Sequence, residues 1–201
     1  MILNQLLNPN LESDTLDAIA NALYEMALAA DLEGKPYLQS YPHLLGYLDG
    51  KSHITEKEVV RLAHMAYGWM PRILRINSEE LPGLVATLKR ASCPDYQLTG
   101  ADWGNAKAAI NNSFVGASKL LHFAMPEKVA IWDSRICTAI TGRYRYSDIN
   151  NLQNVISYQA NLQLLALLPA SQSLNEVINE KLGYRVSSIR AMELAVFEGV
   201  N

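Results

Sequence analysis

The sequence has little of what builds a metal centre, a disulfide framework or a nucleotide-binding loop. Its two cysteines, Cys93 and Cys137, have no metal-ligand spacing and do not suggest a disulfide framework. The four histidines form no His-Glu-x-x-His pair, and the chain has neither a Walker A loop nor a Rossmann glycine pattern. We therefore expect no catalytic metal and no cofactor, and the cysteines give no case for a thiol protease.

A long apolar run is also lacking, although 49% of the residues are hydrophobic. No segment reaches the length needed to span a membrane. The N-terminal Met-Ile-Leu-Asn-Gln has no basic flank followed by an apolar core, so it is not typical of a secretory signal. These features predict a cytoplasmic protein with no membrane partner. The 201 residues suffice for one substantial core, so residues 1–201 are expected to form a single domain or two closely packed lobes.

Strand signals are nearly absent, whereas helix signals are frequent. Apolar residues recur at helical spacing over residues 14–30 and 185–197. Residues 55–58 and 173–176 have the sequence of capping boxes, and a long helix is expected from Ser147 to about Leu168. The sequence thus predicts an all-α domain of about eight to ten helices.

Charge is distributed unevenly along a chain whose formal net charge is −3. That net charge argues against strong sequence-independent binding of nucleic acid. Residues 1–58 carry three Lys or Arg against nine Asp or Glu, whereas residues 59–150 carry eleven against seven. A local cationic face can still attract phosphate while the acidic remainder keeps the protein soluble. Ordinary surface variation explains the same distribution, so both interpretations stay open.

The most informative segment extends from Phe114 to Ile140. Its pattern predicts a tight turn at Val115-Gly116-Ala117, a short helix with Lys119 near its start, a short apolar run over residues 129–132, and another helix capped by Asp133. A lysine and an aspartate at the starts of adjacent helices can converge on one cleft. Apolar neighbours disfavour an ammonium group and lower its pKa. A free amine beside a carboxylate is what Schiff-base chemistry at a sugar carbon requires.

The same segment resembles the helix-hairpin-helix DNA glycosylase superfamily, specifically its 8-oxoguanine DNA glycosylase-like branch. The resemblance covers roughly residues 101–141, and Tyr67-Gly-Trp-Met-Pro71 adds to it. It implies a helical domain with two lobes, a cleft between them, and a helix-hairpin-helix element at about residues 101–125. Where the family hairpin reads Leu-Pro-Gly-Val-Gly, this chain reads Asn112-Ser-Phe-Val-Gly116, without the proline and the first glycine.

The resemblance also implies an activity and a set of site residues. The activity is that of a DNA glycosylase/AP lyase, which excises an oxidised purine such as 8-oxoguanine from double-stranded DNA through a lysine Schiff base. Its catalytic residues would be Lys119 and Asp133. The implied DNA-binding residues are Gly116, Ser118, Arg135, Arg143 and Arg145. The candidates for the base pocket are Trp69, Trp132 and His122, with Trp103 as a further stacking residue.

Each of these residues also has an ordinary structural interpretation. Lys119 can be a surface lysine, Asp133 a helix cap, and the tryptophans and His122 packing residues. The alternative function is therefore a non-catalytic helical module that keeps the fold in order to bind DNA or another protein. In that module Lys119 and Asp133 would form a structural ion pair. The altered hairpin and the acidic isoelectric point favour the module, whereas the placement of the lysine and the aspartate favours the enzyme.

Overall fold

A computed structural model describes residues 2–51, 53–69 and 73–199 of the chain, and within these ranges the protein is helical with no β-strand. An isolated antiparallel bridge joins Ile76 to Ile110. The prediction of an all-α fold is confirmed. No helix in the described ranges is long and apolar enough to cross a membrane.

The α-helices of the described residues are numbered here in chain order. They are α1 (Ser13–Ala29), α2 (Pro36–Ser40), α3 (Glu56–Gly68), α4 (Leu81–Ala91), α5 (Gly100–Ala109), α6 (Phe114–Ala124), α7 (Ser134–Thr141), α8 (Tyr146–Ile149), α9 (Leu152–Ala166), α10 (Pro169–Leu182) and α11 (Ser188–Gly199). Short 3₁₀ helices cover Ile2–Leu7, Tyr41–Leu44 and Ser78–Glu80.

The helices pack in two groups around one continuous hydrophobic core. Helices α3, α4, α5 and α6 contact one another in one group, and α1, α10 and α11 contact one another in the other. Helix α9 contacts both α5 and α11, and α7 packs on α11. Helix α6 belongs to the first group and α7 packs on the second, so the segment between them connects the two groups. Trp132 and Asp133 lie in this segment, and Ser118 and Lys119 contact it.

Polar caps define where the central helices begin. Thr99 and Asp102 form a reciprocal capping box at α5, in which each side chain accepts from the backbone amide of the other residue. The hydroxyl of Ser113 accepts from the amide of Gly116 at the start of α6. Asp133 caps α7, as the sequence predicts. These caps fix the relative positions of the helices that carry the candidate site.

Three sequence predictions about helix ends are wrong. The hydroxyl of Thr55 bonds the carboxylate of Glu58 rather than a backbone amide, so the reciprocal capping box at residues 55–58 does not form. Residues 173–176 lie inside α10, which begins at Pro169 because proline suits the first turn of a helix. The long helix predicted from Ser147 is interrupted, since α8 ends at Ile149 and the side chain of Asn151 caps a separate helix α9.

Candidate functional site

The turn between α5 and α6 lies at residues 110–113, not at Val115-Gly116-Ala117 as predicted. Asn111 and Asn112 both have positive φ angles, of 55° and 47°. Asparagine is among the residues that most readily adopt this left-handed conformation, so two asparagines make the turn without a glycine. The side chain of Asn111 accepts from the amide of Arg75 (2.8 Å) and donates to the carbonyl of Ile73 (2.9 Å). The turn is therefore anchored to residues 73–75.

Gly116 lies in the first turn of α6, where it allows two helices to approach closely. The hydroxyl of Tyr67 on α3 occupies the space that a Cβ atom at Gly116 would need, and a methyl group of Ile110 lies 3.1 Å from the same position. Gly116 is buried. In the structure this glycine therefore serves helix packing, and its predicted role in DNA contact is not tested. Within the Tyr67-to-Pro71 motif, Met70 and Pro71 lie outside the described residues.

Lys119 and Asp133 converge as predicted, although Lys119 lies in the middle of α6 and not near its start. The Nζ atom of Lys119 lies 3.9 Å from Oδ2 of Asp133, and each side chain is 13% exposed. The other carboxylate oxygen, Oδ1, accepts from the backbone amides of Arg135 and Ile136, both at 3.0 Å. Asp133 thus caps α7 with one oxygen and turns the other toward the lysine. The pair is accessible to solvent but largely enclosed by protein.

The extended segment that leads to Asp133 is held by side chains instead of by a sheet. The side-chain amide of Gln159 bonds both backbone groups of Ala130, at 2.8 and 2.9 Å. The carboxylate of Glu193 accepts from the amide of Ile131 (3.4 Å), and the hydroxyl of Tyr158 donates to its carbonyl (3.4 Å). Buried backbone groups need such partners, so α9 and α11 together fix the position of Asp133.

Ser118 and Trp132 belong to this internal support. The hydroxyl of Ser118 lies 3.0 Å from both the amide and the carbonyl of Trp132, and Ser118 has no exposed surface. The indole of Trp132 is fully buried and donates to the carbonyl of Ile149 (2.9 Å). The polar groups of Ser118 and Trp132 thus have partners inside the protein. The predicted roles of Ser118 in DNA binding and of Trp132 in a base pocket are not tested. Trp103 is also buried, at 1% exposure.

His122, a candidate for the base pocket in the sequence, lies in the core. Its ring is fully buried, where Nδ1 donates to the carbonyl of Val129 (2.6 Å) and Nε2 accepts from the hydroxyl of Tyr41 (2.7 Å). Burial, helped by the nearby charge of Arg190, lowers the pKa of His122 to about 3. The ring is therefore neutral near pH 7 and bonds the segment that leads to Asp133.

Trp69 remains the candidate aromatic side chain with an accessible surface. It is half-buried, and its indole donates to the carbonyl of Tyr37 (2.8 Å). The rings of Tyr37 and Phe123 meet it edge to face, with centroids 5.6 and 5.2 Å away. Tyr37 in turn meets Phe197 of α11 at 6.2 Å. An aromatic group built from four parts of the chain therefore surrounds Trp69.

A cluster of Lys35, Tyr37, Arg135 and Glu198 was not expected from the sequence. Glu198, on the last turn of α11, bonds Lys35 and Tyr37, and its Oε2 lies 3.6 Å from Arg135. Its side chain is only 3% exposed, whereas that of Arg135 is 45% exposed and lies over the ring of Phe197. Arg135 follows the cap residue Asp133 by two positions. The cluster therefore ties the start of α7 to α11 and to the N-terminal part of the chain.

A buried ion pair lies on the same helix as Glu198. Nη1 of Arg190 bonds the carboxylate of Glu193 one helical turn away, and both side chains are at most 2% exposed. The guanidinium lies over the rings of Tyr41 (4.7 Å) and Trp69 (5.7 Å). Its Nε and Nη2 atoms have no hydrogen-bond partner among the described residues. Because Glu193 also bonds Ile131, this pair connects α11 to the segment before Asp133.

Arg143 and Arg145 lie at the far end of α7 from Asp133, on an exposed connection to α8. The eight residues of α7 correspond to about 12 Å of helix. The structure thus separates these two arginines from Arg135. In the described part of the chain no group of three histidine, cysteine or acidic side chains could hold a metal ion.

Comparisons of the chain with protein-family models, with curated proteins and with solved structures find no match. The likeness to DNA glycosylases therefore depends on the sequence of residues 101–141 and of Tyr67-to-Pro71.

Proposed function

We propose that this protein is a lysine-dependent DNA glycosylase/AP lyase that removes an oxidised purine, such as 8-oxoguanine, from double-stranded DNA. The observation that carries the proposal is the pair of Lys119 and Asp133, joined at 3.9 Å and 13% exposed on both sides. An amine held beside a carboxylate in a largely enclosed position suits attack on a sugar carbon. Trp69 is half-buried, and we assign it as the side chain that contacts the flipped base.

In the proposed reaction Lys119 is the nucleophile. The lone pair of its Nζ forms a bond to C1′ while the C1′–N9 bond breaks, and the base leaves with that electron pair and gains a proton. Opening of the sugar ring and loss of the amine protons give an imine. Removal of a C2′ proton then expels the 3′ phosphate, which nicks the strand, and water releases the lysine. The Asp133 carboxylate stabilises the positive charge that develops on the sugar.

A non-catalytic module is the second candidate, and the α5–α6 turn favours it. The amide of Asn111 donates to the carbonyl of Arg75 (2.9 Å), and the amide of Ser113 donates to that of Ile110 (3.1 Å). These amides are occupied inside the protein, whereas a helix-hairpin-helix offers its hairpin amides to a DNA phosphate. In the module Lys119 and Asp133 form a structural ion pair.

A strand-nicking assay under single-turnover conditions separates the two functions. The substrate is a duplex with one 8-oxoguanine, and the undamaged duplex is the comparison. We expect the wild type to nick the lesion strand and Lys119→Gln to lose nicking. Lys107→Gln is the matched control, because Lys107 is a partly buried lysine on the neighbouring helix, 4.6 Å from the ring centre of Phe114. A wild type that neither binds nor nicks the lesion duplex at low salt would favour the module.

A further inference from the structure

The connection between α7 and α8 exposes an alternating run of two arginines and two tyrosines. Arg143, Tyr144, Arg145 and Tyr146 are all exposed, and the side chains of the tyrosines are unusual in this respect, at 64% and 71%. Among the large hydrophobic side chains that are exposed in the described residues, these two are the aromatic ones. An aromatic ring left in water forgoes the burial that usually makes aromatic residues stabilising.

The backbone on both sides of the run is anchored to the rest of the protein. Gly142 ends α7 with a φ of 74°, and the hydroxyl of Thr141 lies 2.7 Å from the carbonyl of Arg143. On the other side, Ile149 is buried and its carbonyl accepts from the indole of Trp132. The four side chains therefore extend from an anchored turn.

The charge of the run is not neutralised by neighbours. Neither Arg143 nor Arg145 makes a salt bridge within the described residues. Asp148 is the acidic residue nearest to the run in the sequence. Its carboxylate lies 3.5 Å from the hydroxyl of Ser147 and, in the described part of the chain, forms no salt bridge with either arginine. The two arginines alternate with two exposed aromatic rings. Phosphates and bases alternate in a similar way along a strand of nucleic acid.

We propose that the Arg143–Tyr146 run binds single-stranded DNA, with the tyrosine rings stacking on unpaired bases and the arginines contacting the adjacent phosphates. The rings specify the unpaired form, because stacking needs a base face that a duplex keeps covered. The arginines supply the salt-dependent part of the affinity. Tyrosine and arginine are also enriched in protein interfaces, so a protein contact is the alternative that the experiment below separates from DNA binding. The inference concerns binding and does not depend on the chemistry of Lys119.

Fluorescence anisotropy with a labelled oligo(dT), and with the same strand paired to oligo(dA), tests the inference. We expect the wild type to bind the single strand more tightly than the duplex at low salt. Tyr144→Ala/Tyr146→Ala should weaken single-strand binding by roughly tenfold or more, since stacking on each ring contributes substantially. Tyr144→Phe/Tyr146→Phe keeps the rings and should bind within about twofold of the wild type.

The charge component has its own variant and controls. Arg143→Gln/Arg145→Gln should reduce the slope of log affinity against log salt by about 1.4, because two phosphate contacts on a single strand are lost. The exposed Arg185 and the exposed Leu167 provide Arg185→Gln and Leu167→Ala as controls without effect. Unchanged oligo(dT) binding by the double alanine variant would overturn the proposal. So would a wild type that does not bind oligo(dT) at low salt, and a protein contact would then explain the run.

Discussion

The hydroxyl of Tyr67 fills the space that a Cβ at Gly116 would occupy, so α3 and α6 touch across a glycine. Gly116→Ala should therefore destabilise the protein by about 1–3 kcal/mol, the usual cost of an extra group in a packed interior. The helical backbone at this position would otherwise favour alanine. Urea unfolding of the variant and the wild type measures the difference.

Two further variants make this test specific. Gly104 lies in α5 with no atom within 4 Å of a Cβ built there, so Gly104→Ala should stabilise the protein by about 0.5–1 kcal/mol. Removing the hydroxyl with Tyr67→Phe should recover part of the loss in the double variant. Equal effects of alanine at Gly116 and Gly104 would show that the contact with Tyr67 does not restrict α6.

His122 should make the protein sensitive to acid. The unfolded chain binds a proton at this histidine near its ordinary pKa of 6.5, whereas the folded chain does so only at about 3. Protons therefore favour the unfolded state between these values. The resulting stabilisation is complete above about pH 6.5 and falls by about 1.4 kcal/mol per pH unit as the pH drops through this window. Urea unfolding at a series of pH values measures the slope.

The matched variants are His122→Gln, which removes the buried titrating group, and His64→Gln, which removes an exposed histidine. His122→Gln should flatten the dependence of the free energy of unfolding on pH between about pH 6 and 4. The protein as a whole should become less stable, because the two buried hydrogen bonds of His122 change. His64→Gln should leave the dependence on pH unchanged. An unchanged slope in His122→Gln would assign the acid sensitivity to other groups.

The fold was more predictable from the sequence than the site. The helices and the cap at Asp133 are determined by residues that are close together in the sequence, and both predictions are confirmed. The sequence predicts the turn at Gly116, but the turn lies at Asn111 and Asn112 and Gly116 contacts α3. No local pattern identifies the cluster at Glu198, since its partner Lys35 lies 163 residues away along the chain.

Burial explains why the sequence alone does not assign roles to several of the candidate site residues. The sequence does not show whether the polar atoms of a tryptophan, a serine or a histidine bond a ligand or a buried backbone group. Ser118, His122 and Trp132 have their polar atoms bonded to the backbone in the core. These residues lie close to Lys119 because the extended segment before Asp133 is not part of a sheet. Its buried backbone groups are bonded by side chains instead.

The buried pair of Arg190 and Glu193 should be strongly coupled. Glu193→Leu leaves the guanidinium without its carboxylate and the amide of Ile131 without its acceptor, so a loss of about 3–5 kcal/mol is expected. Arg190→Met should be similarly costly. The double variant should lose clearly less than the sum of the single variants, because neither charge is then left alone. A double-mutant cycle in urea measures the coupling.

The pair of Glu58 and Arg61, which is more open to solvent, provides a control for this cycle. It has the same i, i+3 spacing with a 3.7 Å separation, but the side chain of Arg61 is 55% exposed. Charge pairs in water contribute little, so breaking it should hardly change the stability. Additive effects at Arg190 and Glu193 would contradict the coupling.

Asp133→Asn should separate capping from the proposed catalysis. Asparagine also caps helices well, so the stability should change little. The variant loses the negative charge that lies 3.9 Å from Lys119, so the proposed nicking rate should fall by about 100-fold or more. Thermal unfolding and single-turnover nicking, measured on one preparation, give the two quantities. A variant that nicks at the wild-type rate would remove Asp133 from the proposed chemistry.

Covalent trapping tests the central claim, that Lys119 is a Schiff-base nucleophile, most directly. Borohydride reduces an imine between the enzyme and DNA to a stable amine, and peptide mapping by mass spectrometry identifies the lysine. With an 8-oxoguanine duplex we predict an adduct of the wild type on Lys119, its loss in Lys119→Gln and its retention in Lys107→Gln. A wild type that binds the duplex without forming an adduct, or an adduct on another lysine, would contradict the claim.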